Sequence, residues 1–218
     1  MKEPVYSYRL KKIARLANFY GGKTLDIGFS LLPNPYLKGE IIGVDIDLPK
    51  EKPTNYTKMI IADVMKKLPF QDKSIDTIIL GGVIEHLENP LVALREMNRV
   101  LKDGGMLLME TPNPYYFPVI ISDFLMSLRF YFEDTHVSLD PRRIVLKNLW
   151  NTGFDLKKIE SCGINLSDHF TIPCPQQFAQ DIIYVAVKRQ PKNKYYKMIR
   201  GMRKVKYDDI HEKLDKKR

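Results

Sequence analysis

The stretch Thr24–Asp47, TLDIGFSLLPNPYLKGEIIGVDID, decides the fold. The apolar run Lys23–Ile27 leads into Gly28, and a second apolar run, Glu40–Val44, ends at Asp45. A buried strand that meets glycine, followed by a strand that ends on an acid, is typical of nucleotide-binding α/β proteins. The turn between them has one glycine and two prolines, so it lacks the glycines and helix N-terminus that hold a pyrophosphate. The turn therefore suits a nucleoside better than a dinucleotide.

Length and composition narrow the kind of protein. The 218 residues fit one domain with a sizeable core. The sequence has no run of about eighteen apolar residues that would predict a membrane span. Its N-terminus has no signal-peptide core. Cys162 and Cys174 are too few for a disulfide framework and lack the spacing of a zinc site. These features predict a cytoplasmic protein.

The positive charge is concentrated at the C-terminal end of the chain. The net charge is +9, and residues 191–218 contain 11 Lys or Arg against 4 Asp or Glu. Residues 1–190 are therefore nearly neutral, which predicts two parts: a globular domain, 1–190, and a basic tail, 191–218. Apolar tail residues fall on one helical face: Tyr195, Met198, Ile199, Met202 and Val205. The tail is predicted to contact an anionic membrane surface peripherally, with RNA phosphates or a packed terminal extension as alternatives.

Seven short apolar runs have the length of strands. Most are apolar throughout and alternate with helical patterns, which predicts a parallel sheet covered on both faces. The predicted strands are Lys23–Ile27, Glu40–Val44, Thr57–Ala62, Ile75–Leu80, Met106–Glu110, Phe154–Ile159 and Asp181–Val187. The segment Asn165–Gln180, with two prolines, is predicted to be a long irregular loop.

Helix signals lie between these runs. Apolar residues at helical spacing predict a helix at Tyr6–Tyr20. Asn89-Pro90 predicts a helix start with Asn as N-cap, and Asp140-Pro141 repeats this signal. The first of these two helices is predicted to run to about Leu101, with Asp103-Gly104-Gly105 as its stop signal, and the second is predicted to end at Gly153.

The carboxyl ends of the strands carry the residues that a ligand would meet, because ligands of doubly wound sheets bind there. Gly28 allows close approach to the backbone. Asp45 can accept hydrogen bonds from both hydroxyls of a ribose, and Asp63 can accept one from the amine of a base. The ordered series predicts a nucleoside site more strongly than any single acid does.

Five segments carry a resemblance to a known family: LDIG (25–28), GVDID (43–47), ADVMKKLPFQDKSID (62–76), IEHLENP (84–90) and REMNRVLKDGGMLLMETPNP (95–114). Over about residues 8–190 the chain resembles the class I S-adenosylmethionine-dependent methyltransferases, in particular their type 11, ubiquinone-biosynthesis-like group. The resemblance implies a Rossmann-like, doubly wound α/β fold. Its seven-stranded sheet would be mostly parallel, with the last strand, Asp181–Val187, antiparallel.

The same resemblance implies where S-adenosylmethionine binds and S-adenosylhomocysteine forms. Asp26 and Gly28 would border the methionine, Asp45 the ribose, and Gly81 the methionine and reacting sulfur. The full implied set of cofactor-binding residues is Asp26, Gly28, Asp45, Ile46, Asp63, Val64 and Gly81. One departure is Ser30, where the family usually has a second glycine. Pro33 and Pro35 predict that the helix after this turn is short or absent.

Two histidines are the candidate catalytic residues. Methyl transfer needs positioning, and an oxygen acceptor usually also needs a base. His86 follows the fourth strand, and similar family members carry a histidine at the position of His136, facing the acceptor. Relatives that methylate quinone precursors have a further acid where this chain has Gly82, so no metal is predicted. Each histidine has a purely structural alternative.

The apolar run Phe117–Phe130 between the fifth strand and the next helix has two interpretations. Its spacing fits a helix that roofs an acceptor pocket, and it fits core packing equally well.

The predicted function is S-adenosylmethionine-dependent methyl transfer to an oxygen of a sugar, glycan precursor or other small metabolite. An RNA methyltransferase is an alternative that the tail favours, but nucleic acid is the less favoured partner because no added RNA-binding domain is evident. A catalytically silent binding module is a further alternative, favoured by Ser30 and the shortened turn.

Overall fold

The computed structural model describes residues 7–125, 137–138, 140–167 and 170–189. The strands are β1 Lys23–Ile27, β2 Glu40–Asp45, β3 Lys58–Ile61, β4 Ile75–Gly81, β5 Leu101–Pro112, β6 Phe154–Ser161, β7 Ile164–Ser167, β8 Phe170–Ile172 and β9 Asp181–Lys188. The helices are α1 Ser7–Tyr20, α2 Pro90–Val100, α3 Phe117–Leu125 and α4 Arg142–Asn151, with a short 3₁₀ helix at Ile84–His86. The tail 191–218 and His136 lie outside the described residues.

The main sheet has seven strands in the order β3-β2-β1-β4-β5-β9-β6. Strands β1 to β5 pair in parallel, and β9 pairs antiparallel with both β5 and β6. This arrangement confirms the predicted Rossmann-like fold class, including the antiparallel last strand. Because β1 pairs with β2 on one side and with β4 on the other, the strand order reverses at β1 and the ends of β1 and β4 are neighbours.

All seven predicted main-sheet strands are present, but the start of β5 was predicted too late. The helix ends at Val100, within one residue of the predicted end near Leu101, whereas β5 begins at Leu101 rather than at Met106 and includes Asp103-Gly104-Gly105. Leu101 is already extended, with φ −67° and ψ 140°, and pairs with Ile75 of β4. A bulge then shifts the register before Thr77 pairs with Met106. Pairing with β4 therefore extends the strand back through the two glycines that looked like a loop in the sequence.

The two Asx-Pro start signals were only partly correct. Asn89 occupies the N-cap position of α2, but its side chain makes no capping hydrogen bond. Pro141, with an extended ψ of 144°, is the N-cap of α4, so Asp140 lies one residue too early to cap that helix. Gly153, with φ +86°, follows α4 as predicted.

The predicted loop Asn165–Gln180 contains part of a small hairpin formed by β7 and β8. Ile164 pairs with Ile172, and the Thr171 hydroxyl donates a 2.6 Å hydrogen bond to Oδ1 of Asn165. The hairpin exposes large apolar side chains such as Phe170. It was missed because its strands are only four and three residues long and none of their side chains is fully buried.

Irregular segments replace helices in the first half of the fold. In the described chain, the links from β1 to β2, β2 to β3 and β3 to β4 contain no helix, which confirms the prediction for the first link. Buried Asn34 holds that link: its amide donates to the Leu10 carbonyl of α1, and its Oδ1 accepts the N–H of Tyr36. Arg99 of α2 holds the third link by donating to the Leu68 and Phe70 carbonyls.

The two faces of the sheet are covered differently. Helix α1 and the irregular segments around Phe29 and Tyr56 cover one face, while α2 and α4 cover the other. On α3, Val119 is buried, but Phe117 and Ile120 are 64% and 46% exposed. Core packing therefore does not explain the apolar side chains of Phe117 and Ile120. None of the helices in the described ranges is long and apolar enough to cross a membrane.

Candidate active site

The parallel register brings the predicted site residues to one edge of the sheet. Val44 of β2 and Leu80 of β4 flank Ile27, the last residue of β1. At the same edge, Asp45 ends β2 beside Ile61 of β3, and Gly81 ends β4 beside Glu110 of β5. The strand ends that sequence analysis selected therefore form one continuous row.

Gly28 makes the tight turn that begins this edge. Its backbone has φ +78°, and its N–H donates to the Val44 carbonyl at 2.9 Å. A Cβ added at this position would lie 2.2 Å from Cγ2 of Val83. Only glycine therefore fits between the ends of β1 and β4.

Asp45 is half-buried and oriented by two backbone groups. Its Oδ2 accepts the N–H of Ser30 at 2.9 Å, and its Oδ1 accepts the N–H of Ile46 at 2.7 Å. A carboxylate oxygen has two acceptor sites, so each oxygen keeps one for a ligand hydroxyl. Ile46 is 75% exposed and offers an apolar surface beside it.

Asp63 and Val64 follow β3 in a tight turn. Oδ1 of Asp63 accepts the N–H of Met65 at 2.9 Å, and Nζ of Lys66 lies 3.4 Å from Oδ2 of Asp63. The Val64 side chain is buried in the core beneath α2. Asp63 therefore presents a carboxylate at this edge, whereas the Val64 side chain belongs to the core.

Asp26 is engaged inside the protein. Its carboxyl accepts a hydrogen bond from the Tyr56 hydroxyl, which itself accepts the N–H of Asn34 at 3.0 Å. The Tyr56 ring stacks on Phe29, with ring centres 5.0 Å apart. Burial raises the pKa of Asp26 to about 7, although the hydrogen bond from Tyr56 opposes the rise. The structure thus gives Asp26 an internal partner rather than a place on the surface of the cleft.

His86 is half-buried at the end of the 3₁₀ helix that follows β4. Its backbone N–H donates to the Val83 carbonyl at 3.0 Å. The carbonyl of the preceding residue, Glu85, accepts the N–H groups of Val137 and Ser138 at 2.8 and 3.1 Å. The chain directly after His136 is therefore anchored to the 3₁₀ helix that carries His86.

Sequence analysis missed a group of buried charges at this edge. Glu85, Glu110 and Asp181, called here the acidic cluster, are 4%, 1% and 8% exposed. Arg9 of α1 lies with its NH1 3.3 Å from Oε1 of Glu110. Burial, together with repulsion from Glu110, raises the pKa of Glu85 to about 8 and that of Asp181 to about 7. The signal in the sequence was Glu110, an acid that directly follows the apolar run Met106–Met109.

The row of strand ends fits the adenosine part of a cofactor. Gly28 lets the chain turn tightly against Val83 at the end of β1, and Asp45 keeps acceptor sites for two hydroxyls. The apolar side chain of Ile46 can cover one face of a base, and Asp63 can accept from its amine. The row has no pyrophosphate cradle, because the described link between β1 and β2 contains no helix.

Comparison with known sequences supports the same assignment. Residues 25–109 match the family model described as a methyltransferase domain. Demethylmenaquinone methyltransferase of Staphylococcus aureus (strain JH9) is 40% identical to this chain over 84 residues, which are 35% of this chain and 34% of that protein. The chain therefore matches only about a third of the length of this curated relative.

Solved structures share the fold over most of the chain. A S-adenosylmethionine-dependent methyltransferase from Thermotoga maritima has a TM-score of 0.67 at 18% identity, over 84% of this chain and 89% of that one. One from Archaeoglobus fulgidus has a TM-score of 0.59 at 21% identity, over 84% of this chain and 94% of that one. Together with the family model, these likenesses confirm the resemblance that the five sequence segments indicated.

Proposed function

We propose that this chain, which carries a methyltransferase domain in the class I S-adenosylmethionine-dependent fold, transfers a methyl group from S-adenosylmethionine to a small-molecule acceptor. The observation that carries this proposal is the row of Gly28, Asp45 and Gly81 at one edge of the sheet. The alternative is a catalytically silent binding module, which methyl transfer in an activity assay would exclude.

The proposed roles of the cofactor-binding residues follow from their contacts. Asp45 binds the ribose hydroxyls, because two backbone N–H groups fix its orientation and leave acceptor sites open. Ile46 and Asp63 bind the base, and Gly28 and Gly81 border the methionine. Asp26 acts indirectly, because the hydrogen bond that it accepts from Tyr56 fixes the end of β1 just before Gly28. Bound S-adenosylmethionine supplies an activated methyl group, and the chain contributes position and exclusion of water.

The acceptor is proposed to be an oxygen of a sugar, glycan precursor or other small metabolite. The end of β4 and its 3₁₀ helix lie where such an acceptor would meet the methyl group, and His86 belongs to that helix. His86 and His136 are the proposed bases for the hydroxyl proton. The exposed apolar side chains Phe117 and Ile120 of α3 offer a wall for the acceptor beyond β5.

A quinone precursor is the second candidate acceptor. The observation that favours it is the 40% identity over 84 residues to a demethylmenaquinone methyltransferase. An aromatic acceptor would also suit the apolar face of α3. A quinone precursor and a sugar differ so strongly in polarity that one assay separates them.

The test is methyl transfer from isotope-labelled S-adenosylmethionine to three acceptor pools: sugars and nucleotide sugars, quinone precursors, and RNA. Calorimetry with S-adenosylhomocysteine is run in parallel. We expect binding of S-adenosylhomocysteine and label in the sugar pool. If only the quinone pool becomes labelled, a quinone precursor is the acceptor instead of a sugar. Binding without label in any pool would favour the silent module, and a chain that does not bind S-adenosylhomocysteine would end the proposal.

A further inference from the structure

The end of β4 brings two buried carboxylates to the same glycine turn. A Cβ built on Gly81 would lie 3.7 Å from Oε2 of Glu110, and one built on Gly82 would lie 3.8 Å from Oε1 of Glu85. Because both positions are glycine, no side chain from the turn occupies the space beside these oxygens. Within the described part of the chain, Oε2 of Glu85 and Oε2 of Glu110 have no hydrogen-bond partner.

An unpartnered buried carboxylate is costly, and the cluster has more negative than positive groups. Glu85, Glu110 and Asp181 face one another with Arg9 as the guanidinium among them, and Arg9 contacts the other oxygen of Glu110. Buried charges in proteins are normally paired or neutralised. Here burial and mutual repulsion raise the pKa of Glu85 to about 8, so that a proton neutralises it at neutral pH. An external cation beside the Glu85 carboxylate could supply the positive charge that this proton supplies.

There is also room for a small polar group next to Glu85. A partly open pocket of about 10 Å³ is lined by Glu85, Thr111, Ser138 and Asp140 together with apolar side chains such as Met109, and it adjoins Glu85 but not Glu110. A cavity of this size holds about one water molecule, and the head of a primary ammonium is of similar size. The lining offers hydroxyl and carboxyl oxygens as additional acceptors, and burial also raises the pKa of Asp140.

We propose that Glu85 and Glu110 form a subsite for a protonated primary amine, so that the acceptor of this enzyme carries an ammonium group. This inference rests on the proposed function, because it treats the end of β4 as the place where the acceptor lies. The amine anchors the acceptor and leaves its hydroxyl to receive the methyl group. An amino sugar or a small amino alcohol has both groups.

The geometry favours an ammonium over other cations. The two carboxylate oxygens that lack a hydrogen-bond partner belong to Glu85 and Glu110. A planar guanidinium, in contrast, pairs best with both oxygens of one carboxylate. An ammonium is a compact charge with three donors that can reach separate acceptors. No three His, Cys, Asp or Glu side chains converge as metal ligands in the part of the chain that the structure describes.

The direct test compares ethanolamine with ethylene glycol, which has a hydroxyl group where ethanolamine has an ammonium group. Backbone amide signals of Gly81 and Gly82 are followed by NMR during titration of the full chain at pH 8.5 and constant ionic strength. We expect ethanolamine to shift both signals saturably and ethylene glycol to leave them in place. Tetramethylammonium, which has the charge but no N–H donor, should bind at least about tenfold more weakly than ethanolamine.

Variants locate the effect in the carboxylates. Glu85→Gln and Glu110→Gln should each weaken ethanolamine binding by about tenfold or more, because each removes a desolvated charge. Asp47→Asn, which neutralises an exposed carboxylate at the same edge, is the matched control and should bind as the wild type does. Glu85→Gln should fold, because it replaces an unpartnered buried acid with an uncharged side chain of the same shape.

The pH dependence is a second readout that a purely structural cluster would not give. Ethanolamine must displace the proton of Glu85, so its affinity should rise as the pH approaches about 8, the pKa of Glu85. Glu110→Gln removes the like charge that raises this pKa, so the rise should move to lower pH. Asp181 and Arg9 face the same carboxyl and remain in both proteins.

The outcomes are separable from those of the proposed function. Ethanolamine binding without S-adenosylhomocysteine binding would retain the amine subsite and reject the methyltransferase. Equal response to ethanolamine and ethylene glycol, no response to either, or binding that survives Glu85→Gln would overturn the subsite. A response to magnesium but not to ethanolamine would overturn it in favour of a metal. If the variants do not fold, the proposal is still tested by whether the wild type binds ethanolamine in preference to ethylene glycol and tetramethylammonium.

Discussion

Ser30 donates its backbone N–H to Oδ2 of Asp45 at 2.9 Å and thereby ties the first turn of the fold to the end of the second strand. Ser30 stands where the related family usually has a second glycine. The contact uses the backbone of Ser30, so the change of side chain does not remove it. The irregular link between β1 and β2 can therefore orient Asp45 without a helix.

The first prediction concerns cofactor affinity. Asp45→Ala should weaken binding of S-adenosylmethionine by about 1–3 kcal/mol, because hydrogen bonds to the ribose hydroxyls are lost. Calorimetry measures this change. The control is Asp47→Ala, which removes an exposed carboxylate two residues further along and should leave the affinity unchanged. Equal affinities for wild type and Asp45→Ala would place the ribose elsewhere.

The second prediction separates two costs of replacing a glycine. Gly21→Ala places a Cβ in open space at φ +66°, so it should destabilise by roughly 1–2 kcal/mol through backbone strain alone. Gly28→Ala has a similar φ of +78° but places its Cβ 2.2 Å from Val83. It should cost clearly more in urea unfolding, and Val83→Ala in the same chain should recover part of the difference. Identical costs for the two glycine variants would show that Val83 moves aside freely.

The third prediction is that stability falls as the pH rises from about 5 to about 8. The folded-state pKa values of Asp26, Asp181 and Glu85 are raised to about 7, 7 and 8. In that window the unfolded chain has already lost protons that the folded chain still holds, so rising pH favours unfolding. Each group contributes at most about 1.4 kcal/mol per pH unit.

Urea unfolding at a series of pH values measures this trend. Acids with lowered pKa values, such as Asp76 and Glu96, act in the opposite sense but only at more acidic pH. Asp26→Asn and Glu85→Gln should each flatten the decline, whereas Asp47→Asn should not. A wild-type stability that rises from pH 5 to pH 8 would mean that these carboxyls are ionised in the folded protein.

The fourth prediction is that methyl transfer survives chelation. Gly82 occupies the position where relatives that methylate quinone precursors carry an additional acid, which leaves a poor oxygen ligand set. Turnover with the acceptor pool that is labelled should be the same with and without EDTA. Loss of turnover that magnesium restores would show a metal requirement.

The fifth prediction separates the domain from the basic tail. Deleting residues 191–218 should leave binding of S-adenosylhomocysteine intact and abolish binding to anionic vesicles. Each basic residue near such a surface contributes about 1 kcal/mol, so binding of the full chain should weaken steeply with salt. Neutral vesicles should retain weak binding through the apolar face of the tail. A truncated chain that cannot fold would make the tail part of the core, and a tail that binds RNA but not vesicles would favour the nucleic-acid alternative.

The sequence by itself determined the order and location of the main-sheet strands and the residues at their ends. Apolar runs bounded by Gly28, Asp45, Asp63 and Gly81 are local signals, and a parallel sheet necessarily brings such ends to one edge. The prolines after Gly28 likewise predicted the missing helix correctly. These features depend on a few neighbouring residues, which is why they are readable without coordinates.

The tertiary structure alone decided which acids lose contact with water. Asp26 and Asp45 both look like strand-end acids in the sequence, yet one is buried against Tyr56 and the other keeps open acceptor sites. The acidic cluster with Arg9 combines residues from the 3₁₀ helix after β4, from β5, β9 and α1, and these residues are up to 172 positions apart. Its raised pKa values come from shared burial and mutual repulsion. Both depend on distances across the fold, which local sequence patterns do not encode.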